Sequence, residues 1–353
     1  MTVTYHSGER IQGTSTDLAG IPAVSGGWKE VGRTTLGSAN QFIDVESLPD
    51  KRYYMMLLDS HGQSSTDGTI RVRYNNTGNS DFEYAGRYST NGTEATYVNE
   101  LSNFIGFHSE DTSPKFRVAY IANKSDKEKL TIGHSIEQST AGAGNTPNRA
   151  EDAEKWDNTT DAISSIEYST GATTNLWNTD SEVVVLGWDP DDTHTTNFWE
   201  ELANVQGDGT STTISSGTIP AKKYLWVQAF TNASSQNTGF QFNNDTGNNY
   251  AIRRSTDGGT DVLDDTIGYI EGSDTSKAFT NMFIINNSAT EKLTIGHSIH
   301  NPTAGAGAAP TRNEVVGKWV PTTNQQITEI DYMQQTTSVN FPSGSFIKVW
   351  GSN

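Results

Sequence analysis

The sequence has no cysteine in 353 residues. That excludes a disulfide framework and any zinc site built on thiolates, and it says little about compartment. No apolar run approaches the roughly 20 residues that a membrane-spanning helix needs. The opening MTVTYHSGERIQG also lacks the apolar centre of a cleaved secretion signal, so neither a membrane partner nor export by such a signal is expected. Basic residues are scarce: 24 Lys and Arg stand against 42 Asp and Glu, for a net charge of −18 and a pI near 4.7. This charge opposes any role that coats a phosphate backbone or an anionic bilayer, and nucleic acid is not an expected partner. Apolar residues come only as short runs such as YYMMLL, FRVAYIA, VVVL and YLWVQAF, between connections crowded with Ser, Thr, Asn, Asp and Gly. That is the spelling of strands and turns.

What the chain does contain is a copy of itself. Residues 128–144, EKLTIGHSIEQSTAGAG, and residues 291–307, EKLTIGHSIHNPTAGAG, agree at 14 of 17 positions with an offset of 163. At the same offset Pro147, Arg149, Glu151, Lys155 and Trp156 fall on Pro310, Arg312, Glu314, Lys318 and Trp319. Upstream, Trp28, Glu30 and Tyr53 match Trp199, Glu201 and Tyr224 at an offset of 171, so the first copy carries eight extra residues between Tyr53 and Glu128. A repeat of about 165 residues is too long for a solenoid unit and long enough for a complete fold. The expectation is all-β: two tandem antiparallel β-sandwich domains at residues 28–188 and 197–353, related by internal duplication. Before them lies an extended N-terminal arm, 1–27, and between them an acidic linker, 189–196, short enough that the domains touch or hold few angles.

Within the domains, IRVRY at 70–74 places Ile70, Val72 and Tyr74 on one strand face and both arginines on the other. The run at 53–58 suits a strand covered on both sides, or on one side with an aromatic facing out. The Asn- and Gly-rich stretches after Tyr74 and Phe242 suggest a hairpin in each copy. In the signature, Leu130, Ile132 and His134 share one face while Thr131, Gly133 and Ser135 share the other. Gly133 and Gly296 inside strands mark a bulge or a close backbone approach. The TAGAG segments, with Gly142 and Gly144 in one copy and Gly305 and Gly307 in the other, hold only small residues and read as tight loops packed against something. Only residues 149–155, RAEDAEK, have helical composition, and the partner segment 312–318 includes Val315-Val316-Gly317, which weakens a helix there.

Candidate chemistry begins with Gly133-His134-Ser135 and Gly296-His297-Ser298. A nucleophile elbow needs glycine two residues after the serine, where this chain has Glu137 and His300, and adjacent strand residues point to opposite faces. His134 and His297 are therefore read as structural. His297 and His300, three apart, cannot ligate one metal from a strand, and the first copy has Glu137 in place of His300. The acidic stretches holding Asp189 and Asp191, and Asp257 and Asp261, are weak calcium candidates. His194 stands where an EF-hand loop needs glycine, so solvated acidic loops are the default. Asn-x-Ser/Thr sequons are expected by chance in so Asn-rich a chain. Trp156 and Trp319 recur at equivalent places and read as core anchors rather than sugar-stacking faces. No catalytic constellation emerges, no cofactor is implied, and the chain is read as non-enzymatic.

The order YLWVQ, FQFNNDTGNNY, GKW and FPSGSFIKVWGSN resembles tandem β-sandwich virion structural proteins of tailed phages, especially marine and cyanobacterial ones, and GERIQGTSTD at 8–17 is similar to the opening of such proteins. The first copy departs from the pattern with RYNNTGNSDFEY, so any ligand role for Asp245 would not transfer to it. The resemblance implies a jelly-roll-like sandwich and a place on the outer surface of a virion, as a capsid decoration or cement protein. It also implies partners among other virion proteins and copies of itself, with a trimer as the first guess. The alternatives are a head or tail fibre or knob that recognises host surface glycan, and a subunit of an extracellular filament joined through the arm.

Overall fold

The computed structural model describes residues 27–66, 70–75, 83–100, 104–107, 112–192, 196–233, 236–273, 276–323, 325–335 and 339–353. The expected arm, apart from Gly27, lies outside them, as does the middle of the linker. The first copy contains β1 (Lys29–Thr35), β2 (Phe42–Val45), β3 (Tyr53–Ser60), β4 (Ile70–Tyr74), β5 (Tyr84–Thr90), β6 (Thr93–Glu100), β7 (Phe104–Phe107), β8 (Lys115–Ala122), β9 (Lys129–Glu137), β10 (Asn148–Trp156), β11 (Ile166–Ser169) and β12 (Glu182–Trp188). The second contains β13 (Glu200–Gln206), β14 (Thr213–Ser215), β15 (Tyr224–Thr231), β16 (Thr238–Phe242), β17 (Tyr250–Thr256), β18 (Val262–Ile267), β19 (Ile270–Ser273), β20 (Lys277–Ile285), β21 (Lys292–Asn301), β22 (Thr311–Trp319), β23 (Ile330–Gln334) and β24 (Phe346–Ser352).

Each copy is an antiparallel sandwich of an eight-stranded and a four-stranded sheet. The first has the orders β1-β12-β3-β8-β9-β10-β5-β6 and β2-β11-β4-β7; the second repeats both orders strand for strand, β13 to β24. The interleaving of β1, β12, β3, β8 with β2, β11, β4, β7 is a jelly roll. Two hairpins, β5–β6 and β9–β10, widen its larger sheet, and the duplicated signature is the second of these.

Side-chain alternation explains why these segments are strands. In β4 the alternate positions Ile70, Val72 and Tyr74 are sunk between the sheets while Arg71 is exposed. The unbroken runs of β3 and β12 have another cause: Tyr54, Met56, Val183 and Val185 fill the sandwich, whereas Met55, Leu57, Val184 and Leu186 face the other copy. Trp156 stacks on Tyr84 at 6.1 Å and Trp319 on Tyr250 at 6.3 Å, each wholly buried, so both tryptophans anchor cores.

Two local readings differ from the structure. Residues 149–155 are strand β10, not helix: Ala150, Asp152, Glu154 and Trp156 point inward, and the charged letters that suggested a helix belong to buried ion pairs and to the contact between copies. The Asn-rich stretch of the second copy is not a hairpin either. It carries the chain from β16 in the small sheet to β17 in the large one. Asn243 and Asn244 take positive φ of 52° and 57°, and the Asn243 side-chain oxygen accepts from the amides of Thr328 and Glu329. The residue types show a tight corner, but pairing across sheets decides what it joins.

The outer faces of the two eight-stranded sheets pack on one another through a third apolar cluster that draws residues from both copies. The molecule is thus four layers deep, of four, eight, eight and four strands.

Candidate functional site

The residues that the duplication preserves most closely meet at the seam between the sheets. Cross-strand register puts Glu151 of β10 opposite His134 of β9, and Glu314 of β22 opposite His297 of β21. All four side chains leave the outer face of their sheet, and the His134 and His297 rings meet edge to face with centroids 4.2 Å apart. Burial and the nearby guanidinium groups of Arg117, Arg149 and Arg312 lower the pKa of His134 to about 4. Burial and His134 lower that of His297 to about 3. Both imidazoles are neutral at pH 7. Burial and the adjacent Glu314 raise Glu151 above the usual carboxylate range.

Three ligand atoms, one each from His134, Glu151 and His297, lie within 4.8 Å of one another, and the buried Nδ1 of His134 has no hydrogen-bond partner. These residues have the chemistry to hold a transition metal. The neighbouring charges oppose it. Arg149 ion-pairs with Glu151, and its guanidinium donates to Glu314 at 2.7 Å and to Asp261 at 2.8 Å. Arg312 lies 3.2 Å from Glu314. The carboxylates are already matched by fixed cations, so a divalent ion would have to displace Arg149 and Arg312 to reach them. The arrangement works as a polar latch set in an apolar contact.

Serine takes no part in it. Ser135 faces the sandwich interior, where its hydroxyl accepts from Arg117 at 3.3 Å, so the His-Ser pair is split between faces as strand geometry requires. Inside the first copy Arg117 is wholly buried against Asp152. At the repeat offset of 163 the second copy has Thr280 and Val315 in their places.

The small-residue loop of the first copy lies against the second. The amide of Gly142 donates to Glu291 at 2.5 Å, the carbonyl of Ala143 accepts from Thr266 at 3.2 Å, and Lys318 donates to the carbonyl of Thr140 at 2.6 Å. Gly142 has φ of +99° and Gly305 of +100°, which only glycine adopts without strain. A side chain at Gly144, Gly305 or Gly307 would meet open space. At the other side of the seam Tyr224 donates to Glu182 at 2.8 Å, Lys223 pairs with Asp59 at 2.9 Å, and Asn287 reaches Asp59 at 3.0 Å.

Three of the four acidic calcium candidates bond within the protein. Asp189 accepts from the Arg52 amide at 3.1 Å, Asp257 caps the Arg312 amide at 2.8 Å, and Asp261 pairs with Arg149 and Arg253; Asp191 is exposed. Two of the sequons, at Asn123 and Asn286, are equivalent buried braces. Their amides donate to the carbonyls of Lys51 and Lys222, at 2.9 Å in both copies. The sequence marked Arg149, Glu151 and Lys318 as repeated positions, but not what they bind, because their partners lie in the other copy. Asp59, Glu182 and Lys223 carried no signal.

No protein-family profile matches the chain, and no curated protein matches it. Among solved structures, the LG1-3 region of the laminin alpha2 chain aligns over 90% of this chain with 7% identity and a TM-score of 0.20; this chain spans 64% of that one's length. The paired C2 domains of extended synaptotagmin 2 align over 82% of this chain and 94% of theirs, with 7% identity and a TM-score of 0.12.

Proposed function

We propose that the chain is a non-enzymatic structural subunit of a tailed-phage particle, placed on the outer surface of the capsid as a decoration or cement protein. One observation carries the reading: the stretch that duplication kept nearly unchanged joins the two sandwiches, through both of its histidines, the glycine loop of the first copy and the Glu291-Lys318 pair of the second. A protein whose best-preserved residues build a joint is a protein whose task is to hold a shape. The acidic surface suits an exposed position where nucleic acid must not adhere. The phage setting rests on the sequence resemblance, and its partners there are other virion proteins and further copies of the chain.

Antibody against the purified chain, visualised with gold on intact particles, tests the placement. Label spread over the heads, together with binding of the purified chain to heads that lack it, is the expected result. Label confined to fibre tips with a positive glycan array would replace decoration by host recognition, and no label on any particle would remove the virion role.

A further inference from the structure

The seam within the chain is only partly symmetric: Trp28 and Trp199, Tyr120 and Phe283, and His134 and His297 enter it from both copies, but other positions enter from one copy alone, which leaves two matching surfaces unused. A two-fold contact would bury the same residues of both copies. Here the first copy contributes Phe116 and Ile136, while the second contributes Leu293 and Ile295. At the repeat offset of 163 their counterparts are Phe279, Ile299, Leu130 and Ile132. Those four are open to solvent: Leu130 and Ile132 are 54% and 56% exposed, Phe279 and Ile299 37% and 48%. They are among only seven large apolar side chains so exposed among the described residues, and each continues directly from the seam along the same strand or the strand beside it.

The polar fittings divide the same way. Glu291 and Lys318 hold the 140–143 loop, whereas their counterparts Glu128 and Lys155 pair with each other at the surface, 3.1 Å apart. The second TAGAG loop has the sequence of the first, and its Gly305 has the same left-handed backbone, yet residues 303–307 are all exposed, whereas Gly142 and Ala143 of the first loop are half-buried.

We propose that these unused halves dock on each other between chains: the Phe279–Ile299 face and the 303–307 loop of one copy on the Leu130–Ile132 face and the Glu128-Lys155 pair of a second copy of this chain. The occupant is argued from the molecule itself, since the same residue types already bind each other once within it. The contact is head-to-tail, so it builds a ring where the rotation closes and an open row where it does not. It is weaker than the internal seam: the counterparts of Glu182 and Asp59 are Phe346 and Phe230, which form no bond to a tyrosine or lysine of the next copy. With a charge of −18 on each chain, added salt favours association by screening the repulsion. The proposal rests on the geometry of the seam and stands whether or not the chain belongs to a particle.

Sedimentation velocity on the full chain tests it, using Ile132→Asp and Ile299→Asp, both at exposed positions and each checked for an unchanged circular dichroism spectrum. The wild type is expected to grow beyond 38.4 kDa with concentration. Growth should be greater at about 0.5 M than at about 0.05 M salt, a range over which the Debye length shortens roughly threefold. Each variant alone should remain one chain. An equimolar mixture of the two should give two-chain species and nothing larger, because each then keeps one live face. A wild type that stays monomeric at every concentration, or either variant assembling as the wild type does, would overturn the proposal.

Discussion

Gly133 and Gly296 sit in identical IGHSI contexts, yet their surroundings differ. A Cβ at Gly133 would fall 2.2 Å from the Arg117 guanidinium and 2.5 Å from Asp152, whereas at Gly296 the nearest atom is the Val315 carbonyl oxygen at 3.6 Å. Gly133→Ala should therefore destabilise by roughly 1–3 kcal/mol, the usual result of overpacking a filled interior. Gly296→Ala should stay within about 0.5 kcal/mol of wild type. Urea midpoints at constant slope measure both, and equal losses would refute the assignment. The glycines were legible in the sequence as close approaches, but only one of them is. What crowds Gly133 is a buried ion pair that the second copy replaced with Thr280 and Val315, and nothing near the glycine in sequence reveals it. The histidines give a second test at this scale. Their folded pKa values, about 4 and about 3, lie below the ordinary value of roughly 6.5, so the unfolded chain binds protons that the native seam refuses. Their contribution to stability is full above about pH 6.5 and is lost as pH falls toward about 3. Glu151 acts in the opposite sense, as do Glu154, Asp44, Glu167 and Asp331, whose pKa values burial also raises, so the histidine part is read by difference. Between pH 7 and pH 4 the wild type should lose melting temperature relative to the double variant His134→Gln, His297→Gln; a difference between the two that does not change with pH would contradict it.

At the scale of elements, β10 and β22 share a place in the fold and differ in what covers them. Lys318 of β22 is buried in the seam, between Glu291 at 3.3 Å and the carbonyls of Gln138 and Thr140, while Lys155 of β10 is exposed. Lys318→Met leaves Glu291 without its cation and should cost on the order of 3 kcal/mol, as removing one partner of a buried pair does. Lys155→Met should cost less than about 0.5 kcal/mol in the isolated chain. Chemical denaturation of the two variants side by side measures the contrast, and equal costs would mean that the seam does not bury Lys318. The same strands show where reading a sequence runs out. The alternation of β4 and β9 was plain because one face of each is apolar. In β10 the interior face carries Asp152 and Glu154, so a strand looked like a helix, and only the apolar spelling of β22, Val315-Val316-Gly317, hinted otherwise. The corner after Phe242 was legible as a turn, but its partners, Thr328 and Glu329, lie more than 80 residues away.

For the whole molecule, duplication supplied two jelly rolls and the seam made them one body. The pairing of Arg149 with Glu314 spans 165 residues and that of Lys223 with Asp59 spans 164, so the contacts that fix the domain angle are the ones local pattern cannot announce. The repeated signature locks the two sandwiches together through its paired histidines, the 140–143 loop and the Glu291-Lys318 pair. Differential scanning calorimetry tests it most directly. The wild type should melt in one transition, because neither domain opens without the other. The double variant His297→Asp, Lys318→Glu places two new carboxylates in the latch while leaving both sandwich interiors untouched, and it should melt in two transitions with its circular dichroism spectrum unchanged. Two transitions already present in the wild type, or a single unaltered transition in the variant, would contradict the claim.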